Sequence, residues 1–194
     1  IKDPLTSDSV MIYNIFGRIN PEKEERILLI AHWDTRRYAD KDPNPLNHKK
    51  PVLGANDGAS GVAVLMELAE ILSKNTIENI GVDLLFVDGE DMGRSGDINN
   101  FSIGTKLFSK SMKNNLPQLA ICLDMVGEIN AEFKMEYFSL MQAEKDLKEI
   151  WAIANEMGYK EFTYNIQSPV YDDHRALFIE TGIPSIDIID FNYP

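Results

Sequence analysis

The alternation of short apolar runs with helical patterns is the feature that most limits how this chain can fold. Apolar, β-rich runs lie at 27–31, 80–87, 119–123 and 183–189. Between the first two runs, apolar residues recur with the period of one helix face, which predicts a helix over 59–73. Strands that alternate with helices form largely parallel sheets covered on both faces. We therefore predict an α/β fold with a mixed, mostly parallel central sheet and helices on both faces.

Several further segments complete this outline. The runs 10–19 and 27–31 are separated by a turn-rich segment, and we expect them to pair as strands. The segment 39–51 holds three prolines among polar residues, which predicts a long surface loop of the kind that is often functional. Additional helices are predicted at 104–113, 143–157 and 176–180.

Chain length and composition favour a single folded unit. The 194 residues are 44% hydrophobic and 26% charged, which is typical of one globular domain with a substantial core. We therefore expect residues 1–194 to form a single catalytic domain. Because the chain begins at Ile1 and not at a methionine, we also expect the full protein to carry segments beyond both ends.

Charge and residue usage exclude several classes of partner. A formal net charge of −12 would repel phosphate backbones, so nucleic acid is excluded as a partner. The sequence contains no apolar stretch long enough to predict a transmembrane segment. The single cysteine, Cys122, cannot form an internal disulfide, and its apolar neighbours predict a buried, inert thiol.

Polar residues follow the apolar runs directly, where parallel strands would end. Because ligands bind at the carboxyl ends of strands in open α/β sheets, we expect these side chains to converge. A further carboxylate precedes the helix predicted at 59–73, where the positive end of the helix dipole favours an anion. The residues concerned are His32, Asp34, Asp57, Glu90, Asp91 and Asp124.

This set of side chains indicates a metal site. One imidazole and several carboxylates without thiolates suit zinc, with manganese and cobalt as alternatives. His32 is placed to bind the metal, and Asp34 to orient the imidazole from behind. Of the adjacent pair Glu90 and Asp91, one carboxylate can bind the metal while the other acts as general base toward substrate.

Serine chemistry is excluded by the glycine spacing around Ser60. A nucleophile elbow requires the pattern Gly-x-Ser-x-Gly, and Gly58-Ala59-Ser60-Gly61 is followed by Val62 where the last glycine should stand. The segment is therefore not a nucleophile elbow.

Five segments together resemble a known superfamily. They read AHWDTRRYADKDPNP, PVLGANDGASGVAVLMELAEIL, VDLLFVDGEDMG, LDMVGE and VYDDHRALFIETGIPSIDIIDF. In this order they are similar to the zinc aminopeptidase and glutaminyl cyclase superfamily, and within it to bacterial glutaminyl-peptide cyclotransferases of the animal type. The resemblance covers nearly the whole chain from about Asn14 and implies a zinc aminopeptidase-like fold.

The resemblance implies a zinc site and a general base. Asp57 corresponds to the aspartate that bridges two metals in the aminopeptidases and binds the single zinc of the cyclases. Asp91 corresponds to the next zinc ligand, and Glu90 to the general base. His32 and Asp124 correspond to ligands of the second aminopeptidase metal, a site that the cyclases retain without ordinarily filling it.

Further roles follow from the same resemblance. In the cyclases, the counterparts of Asp124 and Asp172 belong to a hydrogen-bond network joined to the base. Trp33 is predicted to bind substrate. His174 corresponds to a histidine that is not a zinc ligand, and we expect it to be hydrogen-bonded near the pocket. A cis peptide bond is expected after Asp57.

This chain also departs from the family pattern. The last zinc ligand of the family is a histidine shortly beyond the position of Asp187, which the residues up to Pro194 do not include. We therefore expect Asp57 and Asp91 to be the only protein ligands of the zinc within this chain. The loop 93–101 lacks the tryptophan that lines the substrate pocket of cyclase relatives. His48, in the proline-rich loop, is expected at the surface.

Three functions remain open at this point. The resemblance favours a glutaminyl cyclase that acts on peptide or protein N-termini bearing Gln and is periplasmic or secreted. The alternative is a two-zinc aminopeptidase, in which His32 and Asp124 hold the second ion and Glu90 activates a metal-bound water. The third is a non-catalytic binding module of the same fold.

Overall fold

The computed structural model describes residues 1–75, 77–112 and 116–192. Within this part, strands and helices alternate as the sequence predicts. The strands are β1 (Ile15–Ile19), β2 (Arg26–His32), β3 (Gly81–Val87), β4 (Leu119–Asp124), β5 (Phe133–Glu136), β6 (Phe162–Gln167) and β7 (Ser185–Ile189). The α-helices are α1 (Ala59–Lys74), α2 (Ile103–Ser111), α3 (Tyr137–Glu156) and α4 (Asp173–Thr181).

Five strands form the central sheet in the order β1-β3-β2-β4-β7. The pairs β2–β3, β2–β4 and β4–β7 are parallel, and only the pairing of β1 with β3 is antiparallel among the described strands of this sheet. The predicted mixed, mostly parallel α/β sheet is therefore confirmed. The remaining strands, β5 and β6, form a separate two-stranded sheet that the sequence analysis did not anticipate.

The predicted pairing of 10–19 with 27–31 is wrong. Ile15 pairs with Phe86 of β3, whereas Ile27 of β2 pairs with Val82 of β3 and with Leu119 of β4. Strand β2 is buried and pairs with β3 on one side and β4 on the other, so no side is left for β1. Because β1 is largely exposed, it lies at the edge of the sheet, beside β3.

Helices cover both faces of the sheet. Alternate residues of β2 point to opposite sides, so that Leu28 packs toward Leu177 of α4 while Ala31 packs toward Leu65 of α1. Helix α2 lies on the α4 side through Phe108, and α3 lies on the α1 side against β5 and β7. None of the helices in the described ranges is long and apolar enough to cross a membrane.

Most predicted helix bounds agree with the structure, but α3 begins six residues before the predicted start at 143. The Glu136 carboxylate caps it by accepting the N–H groups of Phe138 and Ser139. Ala143 has non-helical angles (φ −150°, ψ 43°) and kinks the helix. The buried face continues back to Ser139, a polar residue, which explains why the apolar pattern indicates a helix only from Ala143.

The strand order places a binding crevice at one edge of the sheet. Strand β3 lies on one side of β2, and the next strand, β4, lies on the other side, so β2 is a topological switch point of the sheet. Ligand sites of open α/β sheets form outside the carboxyl ends of the strands at such a point. His32 and Asp124 are the last residues of β2 and β4 and lie at this edge.

Candidate active site

Carboxylates from four loops converge in one cavity at this edge. The cavity has a volume of about 290 Å³ and is open to solvent. Its acidic lining consists of Asp57, Glu90, Asp91, Asp124 and Asp172. Its other lining residues are Phe101, Met125, Pro169, Val170, Tyr171, Ile189 and Phe191. The structure thus brings together the acids that the sequence places at strand ends and at the start of α1.

The imidazole of His32 lies between two of these carboxylates. Its Nε2 atom is 3.1 Å from Asp57 Oδ1 and 3.1 Å from Asp124 Oδ1. On the other side of the ring, Nδ1 is 3.0 Å from the main-chain oxygen of Asp34. A carbonyl oxygen only accepts, so Nδ1 carries a proton and Nε2 faces the cavity. The carbonyl of Asp34 therefore orients the ring, since its carboxylate is farther away, at 3.7 Å.

The Asp34 carboxylate holds the loop that follows β3. One oxygen accepts the N–H of Glu90 at 3.0 Å, and the other accepts the N–H of Asp91 at 3.1 Å. Burial alone would raise the pKa of Asp34, but the nearby His32 imidazole and the two N–H groups hold this pKa below its usual value. An ionised, buried carboxylate thus fixes the backbone from which both neighbouring acids project.

Burial and mutual repulsion shift the ionisation of the cavity acids. Burial raises the pKa of Glu90 well above its usual range, and the charge of Asp172 raises it further. Burial, followed by the charge of Asp57, raises the pKa of Asp91 to about 7. Burial also raises the pKa of Asp124 to about 6, against the effect of its hydrogen bond to His32. Burial and mutual repulsion therefore favour the protonated forms of Glu90 and Asp91 when no cation is bound.

The environment of His32 favours its charged form, whereas that of Glu90 and Asp91 favours their neutral forms. Burial lowers the pKa of His32, but the Asp124 carboxylate outweighs burial, so this pKa lies well above its usual value. Without metal, His32 is therefore a cation that balances Asp57 and Asp124. A bound metal ion would take over that role and leave Nε2 as a neutral ligand atom.

Arg36 is a further site residue, one that the sequence pattern does not predict. Its guanidinium contacts Asp91 Oδ1 at 2.6 Å and Asp40 at 2.6 and 2.9 Å, and it lies over the Phe101 ring. Because 55 residues separate Arg36 from Asp91 in the sequence, only its position inside a motif could have drawn attention to it. Arg36 fixes one carboxylate oxygen of Asp91 and leaves the other available.

The residues present fit a zinc ion. His32, Asp57 and Asp124 offer ligand atoms that all lie within 4.8 Å of one another. Imidazole nitrogen and carboxylate oxygen are common zinc ligands, and no thiolate faces the cavity among the described residues. Asp57 lines the cavity together with Asp91 and Asp124, so its carboxylate is available to either of two metal positions.

Other predicted residues lie outside this cavity. Trp33 points away from His32, because neighbouring residues of an extended chain face opposite sides, and lines an apolar groove with Val62 and Met66. His48 is half-buried and contacts the Asp42 carbonyl at 2.8 Å. The cysteine is buried, as predicted.

Two further expectations concern the peptide bond after Asp57 and the aromatic lining of the cavity. The bond after Asp57 is trans, so the expected cis bond is wrong; Asp57 reaches His32 without it. At the end of the loop 93–101, which lacks the family's tryptophan, Phe101 supplies an aromatic wall of the cavity. Asp172 is the N-cap of α4, and His174 is fully buried behind it.

Known proteins are similar to the chain along almost its whole length. The model of Peptidase family M28 matches residues 14–194. The glutaminyl-peptide cyclotransferase of Bos taurus is 23% identical over 212 residues, covering 93% of this chain and 57% of that protein. This chain spans only 57% and 52% of the first two curated relatives that it matches.

Solved structures of a glutaminyl cyclase and of an aminopeptidase precursor are also similar to nearly the whole chain. The glutaminyl cyclase of Porphyromonas gingivalis is 36% identical with a TM-score of 0.93, covering 98% of this chain and 67% of that chain. A leucine aminopeptidase precursor from Bacteroides thetaiotaomicron is also 36% identical, with a TM-score of 0.89, covering 93% of this chain and 65% of that chain.

Proposed function

The chain belongs to peptidase family M28, and from that premise we propose that it is a glutaminyl-peptide cyclotransferase. Such an enzyme converts the N-terminal Gln of a peptide into pyroglutamate and releases ammonia. The observation that carries the proposal is the buried carboxyl of Glu90, with its raised pKa, in a cavity shared with Asp57 and Asp91. The similarity to cyclases from Bos taurus and Porphyromonas gingivalis supports the same substrate class.

Zinc is the proposed cofactor. Asp57 and Asp91 would hold it, and His32 and Asp124 offer ligand atoms for a neighbouring position. When bound, zinc supplies Lewis-acid polarisation of the γ-carboxamide carbonyl of the substrate. Arg36 keeps Asp91 in place for this role through one of its oxygens.

Glu90 carries out the proton transfer in this proposal. The α-amine of the peptide attacks its own γ-carbonyl carbon, so no water nucleophile is required. Glu90 accepts the proton that the amine loses and gives it to the departing ammonia. Burial and the nearby Asp172 raise the pKa of Glu90, as is common for a carboxyl group that both accepts and donates a proton in catalysis. Asp172 and Asp124 line the cavity beside it and complete the acid network.

An aminopeptidase is the second candidate, because one observation favours it. The ligand atoms of His32, Asp57 and Asp124 are close enough for a second metal ion. In that case Glu90 would activate a water molecule for hydrolysis of the first peptide bond. Elemental analysis of the zinc-saturated protein separates the two: a cyclase should bind one zinc per chain, and an aminopeptidase should bind two.

A direct comparison of substrates tests the proposal. The zinc-loaded protein is incubated with a Gln-initiated peptide and with a Leu-anilide, and release of ammonia and of the aniline is followed. The cyclase proposal predicts ammonia from the Gln-peptide and no anilide hydrolysis. Hydrolysis of the anilide alone would support the aminopeptidase, and reaction of neither substrate would support a non-catalytic module.

Peptide or protein N-termini bearing Gln are the proposed partners, and a periplasmic or secreted location is proposed with them.

A further inference from the structure

Behind the cavity, three ionisable side chains lie in a row with no exposure to solvent. Glu136 ends β5, His174 lies in the first turn of α4, and Asp187 lies in the middle of β7. Glu136 Oε2 is 3.1 Å from His174 Nε2, and His174 Nδ1 is 3.5 Å from Asp187 Oδ2. The proposed function assigns no role to any of the three.

The Glu136 carboxylate is ionised and fixes one side of the imidazole. It accepts the N–H groups of Phe138, Ser139 and Val170 and the hydroxyl of Ser139. Burial alone would raise its pKa, but the hydrogen bond to His174 and these N–H groups lower the pKa of Glu136 to about 2. An ionised carboxylate can only accept, so Nε2 of His174 carries a hydrogen.

The other side of the imidazole faces an incomplete contact. Within the described part of the chain, neither Nδ1 of His174 nor either oxygen of Asp187 has a hydrogen-bond partner. A buried polar group without a partner costs about 1–3 kcal/mol. One proton between Nδ1 and Oδ2, which lie 3.5 Å apart, would satisfy both groups.

This contact lies directly behind Asp172, which lines the cavity. Ligand atoms of Asp172, His174 and Asp187 all lie within 4.8 Å of one another. Asp172 is also the N-cap of α4: its carboxylate accepts the N–H of Asp173, and its carbonyl oxygen accepts the N–H of Ala176. A shift of the first turn of α4 would therefore move Asp172.

The remaining groups around this row are acidic or neutral. Burial, followed by the charge of Asp172, raises the pKa of Asp173 to about 8. From β4, Cys122 Sγ approaches Asp172 at 3.5 Å, and the charge of Asp124 also acts on Asp187. Among the described neighbours, His174 is thus the group best placed to tie Asp187 to α4.

We propose that His174 and Asp187 share one proton in a buried hydrogen bond that holds Asp172 in position at the cavity. Both are then positioning residues, because neither lines the cavity in which substrate binds. Their effect on turnover rests on the proposed function, whereas their effect on the position of Asp172 does not.

Two substitutions of similar size test the proposal. In Asp187→Asn the side chain can still form one hydrogen bond with Nδ1, whereas in Asp187→Leu it cannot. For cyclisation of a Gln-peptide, Asp187→Asn should keep kcat near the wild-type value. Asp187→Leu should lower kcat about 10- to 100-fold with little change in KM, as expected when a reacting group is slightly misplaced.

A second readout does not depend on activity. Amide hydrogen exchange of Asp173 reports on its bond to the Asp172 carboxylate. We expect exchange there to be unchanged in Asp187→Asn and faster in Asp187→Leu, while amides of the central strand β2 stay protected in both. If the wild-type protein does not cyclise Gln-peptides, the proposed function fails, but this exchange pattern still decides the positioning role.

The opposite results are equally clear. Wild-type kcat and exchange in Asp187→Leu would overturn the proposal, as would an Asp187→Asn variant as impaired as Asp187→Leu. Should Asp187→Leu fail to fold, nitrogen NMR of the wild-type imidazole of His174 gives an independent check. We expect a slowly exchanging proton on Nε2 and a hydrogen-bonded Nδ1, and a free Nδ1 would overturn the proposal.

Discussion

The Asp34 carboxylate accepts the main-chain N–H of Glu90 at 3.0 Å. Its second oxygen accepts the N–H of Asp91, so one side chain places both the proposed general base and the proposed zinc ligand. These two acids are therefore positioned as a unit, and disturbing Asp34 should affect metal binding and turnover together.

Asp34→Asn should weaken zinc binding about 10- to 100-fold, as is typical when a group that orients ligands is lost. Asparagine offers one acceptor oxygen, and its amide group would oppose the second N–H donor. Competition with a chelator measures the affinity. Asp88→Asn is the matched control, since Asp88 accepts the N–H of Tyr13 and contacts neither Glu90 nor Asp91 through its side chain. Equal zinc affinity in Asp34→Asn and wild type would refute the role of Asp34.

Arg36→Gln should also lower zinc affinity, because Asp91 would lose the guanidinium that fixes one of its oxygens. We expect a decrease of about tenfold or more. Arg37→Gln provides the neighbouring control: Arg37 pairs with Asp3 and does not contact Asp91. Titration of both variants with zinc, followed calorimetrically, should separate them. A result in which both lose the same affinity would point to a general loss of positive charge.

The sequence predicts the cluster of acids at the edge of the sheet because each of them stands next to a recognisable strand or helix in the chain. Glu90 and Asp124 each follow an apolar run, and parallel strands bring their carboxyl ends to one edge. Nothing more than the strand pattern is needed to place them together. Asp57 follows by the same reasoning, from its place just before a helix with a clear apolar period.

The rest depends on contacts that the sequence does not encode locally. Arg36 meets Asp91 only because two loops fold against each other. Glu136 could not be identified as the cap of α3 because the buried residue in the first turn of this helix, Ser139, is polar and gives no apolar signal. The position of β1 beside β3 follows from competition among strands for the buried edges of β2, which is a property of the whole sheet.

Glu136→Gln should lower stability and change its dependence on pH. The pKa of Glu136 is about 2 in the folded protein and 4.5 in its ordinary state, so its ionised form stabilises the fold above pH 4.5. That contribution, about 3 kcal/mol at neutral pH, is lost as the pH falls from 4.5 toward 2. The variant should therefore unfold more easily at pH 7 and show a flatter loss of stability through the acid range.

Urea unfolding at a series of pH values measures this effect. Glu144→Gln is the control, because Glu144 is exposed and pairs with Lys148 on the surface of α3. If Glu136→Gln and wild type lost stability in parallel between pH 5 and pH 2, the pKa of Glu136 would not be lowered in the folded protein. The row of Glu136, His174 and Asp187 would then need a different distribution of protons.

The central claim is that Glu90 moves the proton while its neighbours bind the metal. The most direct measurement is the rate of ammonia release from a Gln-initiated peptide by zinc-loaded Glu90→Gln, with zinc content determined on the same sample. We predict a loss of about 10²- to 10⁴-fold in kcat, as expected when a general base is removed, together with zinc content equal to that of the wild type. Glu67→Gln, on the exposed face of α1, should behave as wild type. Near-normal turnover in Glu90→Gln would contradict the account, and so would a loss of turnover that is fully explained by loss of zinc.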